Sequence, residues 1–214
     1  MAKPARKKSS RKSSGSGAKP KAAHPADPKA ALREALLRLT AAGGWRDLSY
    51  AEIAAEAGIG LSEAYQAYPS KAAILMGIGR DIDARIFAGL EREPLEGSPK
   101  DRLFDLLMRR FDALNQHREA YAALAKDLPR TPGEGLALLC QLRTSLARML
   151  EAAGISASGL RGALRIEGTG AIYAAAMRVW FKDDSSDLSK TMAELDKRLG
   201  QAERLIEMTR RKTA

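Results

Sequence analysis

The side chains that most often do chemistry in proteins are scarce in this sequence. It has two histidines, His24 and His117, and one cysteine, Cys140. Neither histidine has Cys, His or carboxylate partners at the spacing of a metal site, so we expect no metal ion. A lone cysteine between leucines is typically a small buried hydrophobe, with a redox sensor as the rarer alternative. It cannot form an internal disulfide, which favours the cytoplasm as the default location.

The acidic and glycine-containing stretches do not form a catalytic group either. Asp183, Asp184 and Asp187 resemble an acid cluster, but no nucleophile accompanies them, and we expect them to cap a helix. The glycine pairs Gly58/Gly60, Gly77/Gly79 and Gly168/Gly170 lack the third glycine and the preceding strand of a dinucleotide fingerprint. We therefore predict that the protein is not an enzyme and uses no cofactor.

The patterns that must position any binding residue are helical. The chain is 45% hydrophobic and only 5% aromatic, and long segments carry apolar residues at steps of three and four. We predict an all-α protein with an N-terminal three-helix helix-turn-helix domain and a C-terminal helical bundle for ligand binding and dimerisation. The longest nearly apolar run, 170–181, is interrupted by Arg178 and is shorter than the ~20 residues of a spanning helix, so we predict no membrane span.

The net charge of +10 is concentrated at the N-terminus. Residues 1–29 contain nine Lys or Arg, one acid, and no Val, Ile, Leu, Phe, Trp or Tyr, so we predict a disordered basic arm. The arm lacks the apolar segment of a secretory signal. Two uses are open: it neutralises DNA phosphates without reading sequence, or it is only a solubilising tail.

Residues 30–80 have the start and stop signals of several short helices. Gly43-Gly44 stops a first helix, and the pair Ser49 and Glu52 forms a capping box that starts a second. A short third helix spans 61–68. Ser70 then caps a fourth helix.

This segment resembles the N-terminal domain of tetracycline-repressor (TetR) type transcriptional regulators. The resemblance rests, with the spacing intact, on Gly44-Trp45, Ser49, Ile53-Ala54-Ala55-Glu56-Ala57-Gly58-Ile59, Ala64-Tyr65, Tyr68-Pro69-Ser70-Lys71 and Ile74-Leu75. In that family the third helix enters the major groove of a double-stranded DNA operator. The resemblance implies that base edges are contacted by Leu61, Ser62, Glu63 and Gln66. It implies that the DNA backbone is contacted by Ser49, Tyr50, Tyr65, Tyr68 and Lys71.

Several positions depart from the family pattern. Gly60 stands where a Ser-like cap is common, and Leu61 where a Lys or polar residue is common. Glu63, Gln66 and Ala67 stand where Thr, Arg and His, respectively, are common. Residues 30–75 contain four basic and five acidic side chains, a net charge of about −1, and such a domain binds DNA weakly by itself. Three explanations are open: the arm supplies the missing charge, Glu63 accepts from a cytosine amino group, or DNA binding has been lost.

Residues 81–214 are predicted to form the helical effector-binding and dimerisation domain. Ser98 and Asp101 start a helix, and further helices follow at about 118–128 and 134–153. Their apolar stripe is first of all core, but it is also a candidate lining for a small apolar effector or lipid. The candidate ligand-binding residues are Phe104, Leu107, Phe111, Tyr121 and Leu124.

Two final segments each carry a seam of apolar residues at alternating steps of three and four. In TetR-type proteins the last two helices pair with those of a second copy, so the resemblance implies a homodimer. The implied interface residues are Gly170, Tyr173, Met177, Leu188, Met192, Leu195 and Leu199. The alternative is that both seams face the core of their own protomer.

A second, shorter resemblance keeps another function open. The stretches 170–173 and 183–188 resemble the C-terminal region of ubiquinone-biosynthesis lipid-binding proteins, which share the fold and hold an isoprenoid lipid. The main expectation is a homodimeric transcriptional regulator, a repressor released from its operator by a small apolar effector. The alternative is a lipid-binding protein with no DNA target.

Overall fold

The computed structural model describes residues 25–213, and that part of the chain is all helical. The helices are α1 (Pro28–Gly43), α2 (Tyr50–Glu56), α3 (Leu61–Ala67), α4 (Lys71–Gly89), α5 (Pro99–Asn115), α6 (Arg118–Asp127), α7 (Pro132–Ala152), α8 (Gly159–Trp180) and α9 (Ser189–Thr213), with a single 3-10 turn at Leu128–Arg130. No strand occurs among residues 25–213. The prediction of an all-α fold is confirmed.

The first helix begins slightly earlier than predicted. It starts at Pro28 rather than Ala30 because the Asp27 carboxylate accepts hydrogen bonds from two backbone N–H groups of the first turn, at 2.9 and 3.1 Å. Proline at the first helical position loses no hydrogen bond, since that N–H has no partner within a helix. Most of the predicted basic arm, residues 1–24, lies outside the described residues.

Helix α4 joins the helix-turn-helix to the C-terminal bundle. It packs against α1 on one side and against α5 and α7 on the other. One buried charged group ties it to both of these bundle helices. The Asp83 carboxylate accepts from the Arg110 guanidinium at 2.5 Å and from the Ser145 hydroxyl at 2.6 Å. Because all three residues are buried, this contact links α4, α5 and α7 in a region that excludes water.

The bundle core is made of large side chains from α5, α7 and α8. Phe111, Leu146, Met149 and Trp180 have at most 1% of their surface exposed. Phe111 stacks on Tyr173, with ring centroids 5.0 Å apart. None of the helices within residues 25–213 combines the length and apolarity needed to cross a membrane.

The turn between α8 and α9 is organised by Asp183. Its carboxylate accepts from the backbone N–H of Ser185 at 3.1 Å and of Thr191 at 2.8 Å, and from both hydroxyls. Burial alone raises the pKa of this carboxyl, but these hydrogen bonds outweigh it and lower the pKa well below its usual range. Asp187 accepts from the N–H of Ser189 at 3.1 Å. The prediction that these acids cap a helix is therefore confirmed for Asp183 and Asp187.

Candidate nucleic-acid interface

The start of α2 is closed by the predicted capping box. The Ser49 hydroxyl donates to the Glu52 carboxylate at 2.6 Å and accepts from the Glu52 N–H at 3.2 Å, while the Ser49 N–H donates to the same carboxylate at 2.8 Å. The hydrogen bonds from Ser49 lower the pKa of Glu52. Because the Ser49 proton is committed to Glu52, that hydroxyl does not offer a hydrogen bond to a DNA phosphate in this arrangement.

Tyr50 fixes the position of α3 from inside the domain. Its hydroxyl lies 2.7 Å from the carbonyl oxygen of Ala64 and 2.6 Å from that of Tyr68, and its single proton can be donated to one of them at a time. Its ring stacks on the ring of Tyr65, with centroids 4.5 Å apart and planes 13° apart. Tyr50 therefore orients the third helix through contacts within the protein.

Tyr68, for which the resemblance implies a contact with the DNA backbone, is buried in this structure. Only 6% of it is exposed, and its hydroxyl accepts from the Arg33 guanidinium at 3.0 Å. Its ring lies so close to α4 that a Cβ atom added at Gly77 would stand 2.4 Å from the hydroxyl oxygen. Glycine at position 77 is thus what allows the end of α3 to pack on α4.

Lys71 also makes its contacts within the protein, although sequence alone placed it on a phosphate. Its ammonium donates to the carbonyl oxygens of Trp45 at 2.8 Å and Leu48 at 3.0 Å, and it lies 4.3 Å from the centre of the Trp45 ring. Burial lowers the pKa of Lys71. In this structure the residue clamps the loop between α1 and α2 onto the start of α4.

That loop is further anchored on the C-terminal bundle. Trp45 has no exposed surface, its indole N–H donates to Glu134 at 2.5 Å, and its backbone N–H donates to Asp127 at 2.9 Å. Asp127 also accepts from the N–H of Arg46 at 3.2 Å, and these hydrogen bonds, that from Trp45 first, lower its pKa. Sequence analysis missed both acids because they lie 82 and 89 residues from Trp45, where no local pattern connects them.

The outward face of α3 carries the remaining predicted DNA contacts. Leu61, Ser62, Tyr65 and Gln66 are exposed on one side of this helix, whereas Ala64 on the opposite side is fully buried. Glu63, the fifth predicted residue of this helix, is half-buried. Of the nine predicted DNA-binding residues, Leu61, Ser62, Tyr65 and Gln66 form an exposed surface on one side of α3. It combines apolar, hydroxyl, aromatic and amide groups.

Little positive charge is left over around that surface. Among the four basic residues of 30–75, Arg33 pairs with Asp81 at 3.2 Å, and Arg38 pairs with Glu34 and Glu56. Lys71 is engaged as described above. Arg46 is exposed. The described domain therefore has few cations available for phosphates, as its sequence charge predicted.

The candidate effector residues lie mostly in the closed core of the bundle. Leu107 and Phe111 have no exposed surface and Leu124 has 5%, while Phe104 and Tyr121 are half-buried. Of these five, only Tyr121 lines a cleft of about 200 Å³ between α1 and α4–α6. Leu107, Phe111 and Leu124 therefore occupy core positions in this structure.

The candidate dimer residues divide in the same way. Tyr173, Leu188, Leu195 and Leu199 are at most 5% exposed, so they have little surface left to bury on a second copy. Gly170 and Met177 are half-buried, and Met192 is 40% exposed. The seams therefore face mainly the core of their own protomer. Cys140, expected to be buried, is exposed on α7.

Comparisons with known proteins identify the fold. No protein-family model and no curated protein sequence matches the chain. Solved structures do match, among them a TetR transcriptional regulator from Nitrosomonas europaea, with a TM-score of 0.68 and 20% identity, over 82% of this chain and 98% of that one. A TetR regulator from Rhodococcus sp. gives a TM-score of 0.58 at 18% identity, over 81% and 94% of the two chains. One from Streptomyces coelicolor gives 0.57 at 19%, over 86% and 89%. The chain thus has the fold of the TetR transcriptional regulators.

Proposed function

We propose that this chain is a sequence-specific DNA-binding transcriptional repressor of the TetR type. The observation that carries the proposal is the outward face of α3, where Leu61, Ser62, Tyr65 and Gln66 are exposed together. The amide of Gln66 has the donor and acceptor needed to pair with adenine in the major groove, and Leu61 provides an apolar contact for a thymine methyl group. The contacts of Tyr50 and Tyr68 hold this face rigidly, as a recognition helix requires.

The missing positive charge is assigned to the N-terminal arm. Residues 1–24 contain eight Lys or Arg and no acid. The described residues begin near the end of α3, where the Lys29 ammonium lies 5.9 Å from the ring of Tyr68. The cations that precede them in the sequence are therefore proposed to contact the phosphates beside the bases that α3 contacts. Its cations would raise affinity at every sequence, while α3 would select among sequences.

Dimerisation is proposed through the outward faces of α8 and α9. Leu160 and Leu164 of α8 are 81% and 66% exposed, and Met192 and Ile206 of α9 are 40% and 49% exposed. Exposed apolar residues on two helices that pack on each other favour a protein partner, and a second copy would place two recognition helices on an inverted repeat. The effector that releases the operator is proposed to be a small molecule.

The lipid-binding alternative is not retained. A lipid needs an apolar cavity, whereas Leu107 and Phe111 of the candidate stripe are completely enclosed by their own protomer.

Selection from a random DNA pool at near-physiological salt tests the proposal without assuming an operator. We expect an inverted repeat to be enriched. Gln66→Ala should lose discrimination at one base position of each half-site by ~1–3 kcal/mol. The control Gln201→Ala, at an exposed glutamine of α9, should select the same motif as the wild type. Enrichment of no motif would contradict the proposal.

The arm is tested separately by deleting residues 2–24, which leaves the Asp27 cap intact. The deletion removes eight positive charges per protomer. If all eight neutralise phosphates, the slope of log affinity against log salt should fall by about 7 per protomer, since each phosphate contributes ~0.9. Fluorescence anisotropy on a specific and a scrambled duplex measures both slopes. An unchanged slope would show that the arm is a solubilising tail.

A further inference from the structure

A cleft of about 200 Å³ lies where α1 meets α4, α5 and α6. One wall comes from the helix-turn-helix and carries Arg33, and the facing walls come from the bundle and carry Asp81, Arg85, His117 and Tyr121. Anything that fills this cleft therefore contacts both domains at once. Its volume corresponds to roughly seven water molecules, which limits an occupant to a small molecule.

The α4 side of the cleft is positively charged. The Asp81 carboxylate accepts from the Arg33 guanidinium at 3.2 Å and from the Nε of Arg85 at 2.8 Å. Two guanidinium groups thus share a single carboxylate, which leaves one net positive charge. The side chain of Arg85 is 67% exposed, so it can turn toward an anion in the cleft without breaking core packing. A carboxylate suits guanidinium groups because it accepts two hydrogen bonds at once.

Tyr121 adds a neutral donor to the same cleft. Its ring is held by Trp180, with centroids 6.5 Å apart. Tyr121 lines the cleft, and its hydroxyl takes part in none of the hydrogen bonds found among residues 25–213. Burial raises the pKa of this phenol, so the hydroxyl keeps its proton at neutral pH. A half-buried donor without an acceptor in the protein is ready to donate to a ligand.

The side of the cleft toward the turn between α5 and α6 offers acceptors. Glu34 of α1 and Gln116 line it, and one oxygen of the Glu34 carboxylate lies 3.5 Å from the Nε2 atom of His117, while the other lies 3.7 Å from Arg38, which does not line the cleft. Leu37, Ile78 and Ile82 add apolar surface to the lining. The cleft therefore combines two guanidinium groups on its α4 side with a carboxylate and an amide on its α5–α6 side.

We propose that this cleft binds a small carboxylate whose chain carries an amino or hydroxyl group at its far end. The carboxylate is held by Arg33, Arg85 and Tyr121, and the amino or hydroxyl group donates to Glu34. Binding does not depend on the proposed function, but its regulatory consequence rests on it. Arg33 also donates to Tyr68 at 3.0 Å, and Tyr68 ends the recognition helix. A carboxylate that draws the guanidinium of Arg33 away therefore changes the support of α3.

The test is calorimetric titration of the full chain, without DNA, against ω-amino and ω-hydroxy acids of three to six carbons. Butyrate and butylamine, which each lack one polar end, are the matched controls. We expect at least one two-ended acid to bind. Both controls should have an affinity at least about tenfold lower, because each loses a hydrogen bond to a charged group. Failure of every two-ended acid to bind, or equal binding of butyrate, overturns the proposal.

Variants locate the site. Tyr121→Phe breaks no hydrogen bond within the described protein and should weaken binding about tenfold, with an unchanged thermal midpoint. Arg85→Gln should weaken binding to a similar extent, whereas Arg80→Gln, at an exposed arginine of α4 outside the cleft, should bind like the wild type. Undiminished binding by Tyr121→Phe and Arg85→Gln overturns the proposal. An acid that binds here without changing DNA affinity leaves the site standing and counts against the regulatory consequence alone.

Discussion

Replacing Asp83 by alanine should be among the most damaging single changes in this protein. Arg110 is only 6% exposed and its Nε atom has no hydrogen-bond partner among the described residues, so Asp83 supplies its countercharge. The substitution leaves a buried guanidinium unpaired and deprives the Ser145 hydroxyl of its acceptor. Removing one partner of a buried ion pair costs roughly 3–5 kcal/mol, a large part of the ~5–15 kcal/mol by which a folded protein is stable.

Urea denaturation followed by circular dichroism, at one fixed protein concentration, measures this loss. The double variant Asp83→Leu with Arg110→Leu is the control, because replacing both charges with apolar groups leaves no unpaired ion. It should recover most of the free energy of unfolding lost by Asp83→Ala. Ser145→Ala should cost less, roughly 1.5–3 kcal/mol, because it removes a hydroxyl that donates to the Asp83 carboxylate and accepts from the Arg110 guanidinium at 3.0 Å. If Asp83→Ala costs less than about 1 kcal/mol, or if the double variant is as unstable as the single one, the pair does not hold α4 in place.

Three further substitutions probe other contacts. Gly77→Ala pushes a methyl group into the Tyr68 ring and should lower the melting temperature, whereas Gly133→Ala, with nothing within 4 Å of the new methyl group, should leave it unchanged or raise it. Trp45→Phe removes the hydrogen bond to Glu134 and should cost ~1–3 kcal/mol in the same denaturation assay. Since the pKa of Asp183 is lower in the folded than in the unfolded protein, its stabilisation is complete above the ordinary Asp pKa of about 3.9 and is lost as pH falls toward the folded value. The wild type should therefore lose more stability than Asp183→Asn on acidification below about pH 5, and parallel pH profiles would contradict that role.

Local signals in the sequence predicted local structure well. The capping boxes at Ser49 and Ser98 each depend on residues within one helical turn, and both are present. The buried face of α4 also has a local pattern, because Ile74, Ile78, Ile82 and Ile86 recur every four residues and a helix repeats every 3.6 residues whatever it packs against. The capping signals and the inward faces of these helices were therefore accessible from sequence alone.

What the sequence could not supply was the identity of the surface on which each face packs. The spacing of Leu195 and Leu199 indicated a buried seam, but a seam on the protomer's own core and a seam on a partner have the same period. Lys71 and Tyr68 matched a family motif, yet their contacts with Trp45 and Arg33 depend on residues 26 and 35 positions away. Such distant pairings are fixed by tertiary packing, and a single sequence carries no record of them.

The burial of Trp45 against Glu134 and Asp127 limits how freely the two domains of this protein can be exchanged with those of other proteins. A chimera that kept this helix-turn-helix but received another bundle would leave the Trp45 indole without a matching pocket and without an acceptor. A chimera that kept this bundle but received another helix-turn-helix would leave Glu134 and Asp127 without their hydrogen-bond donors. Transferring this helix-turn-helix to another bundle would therefore require moving the α1–α2 loop and the 127–134 corner together, as one inseparable joint.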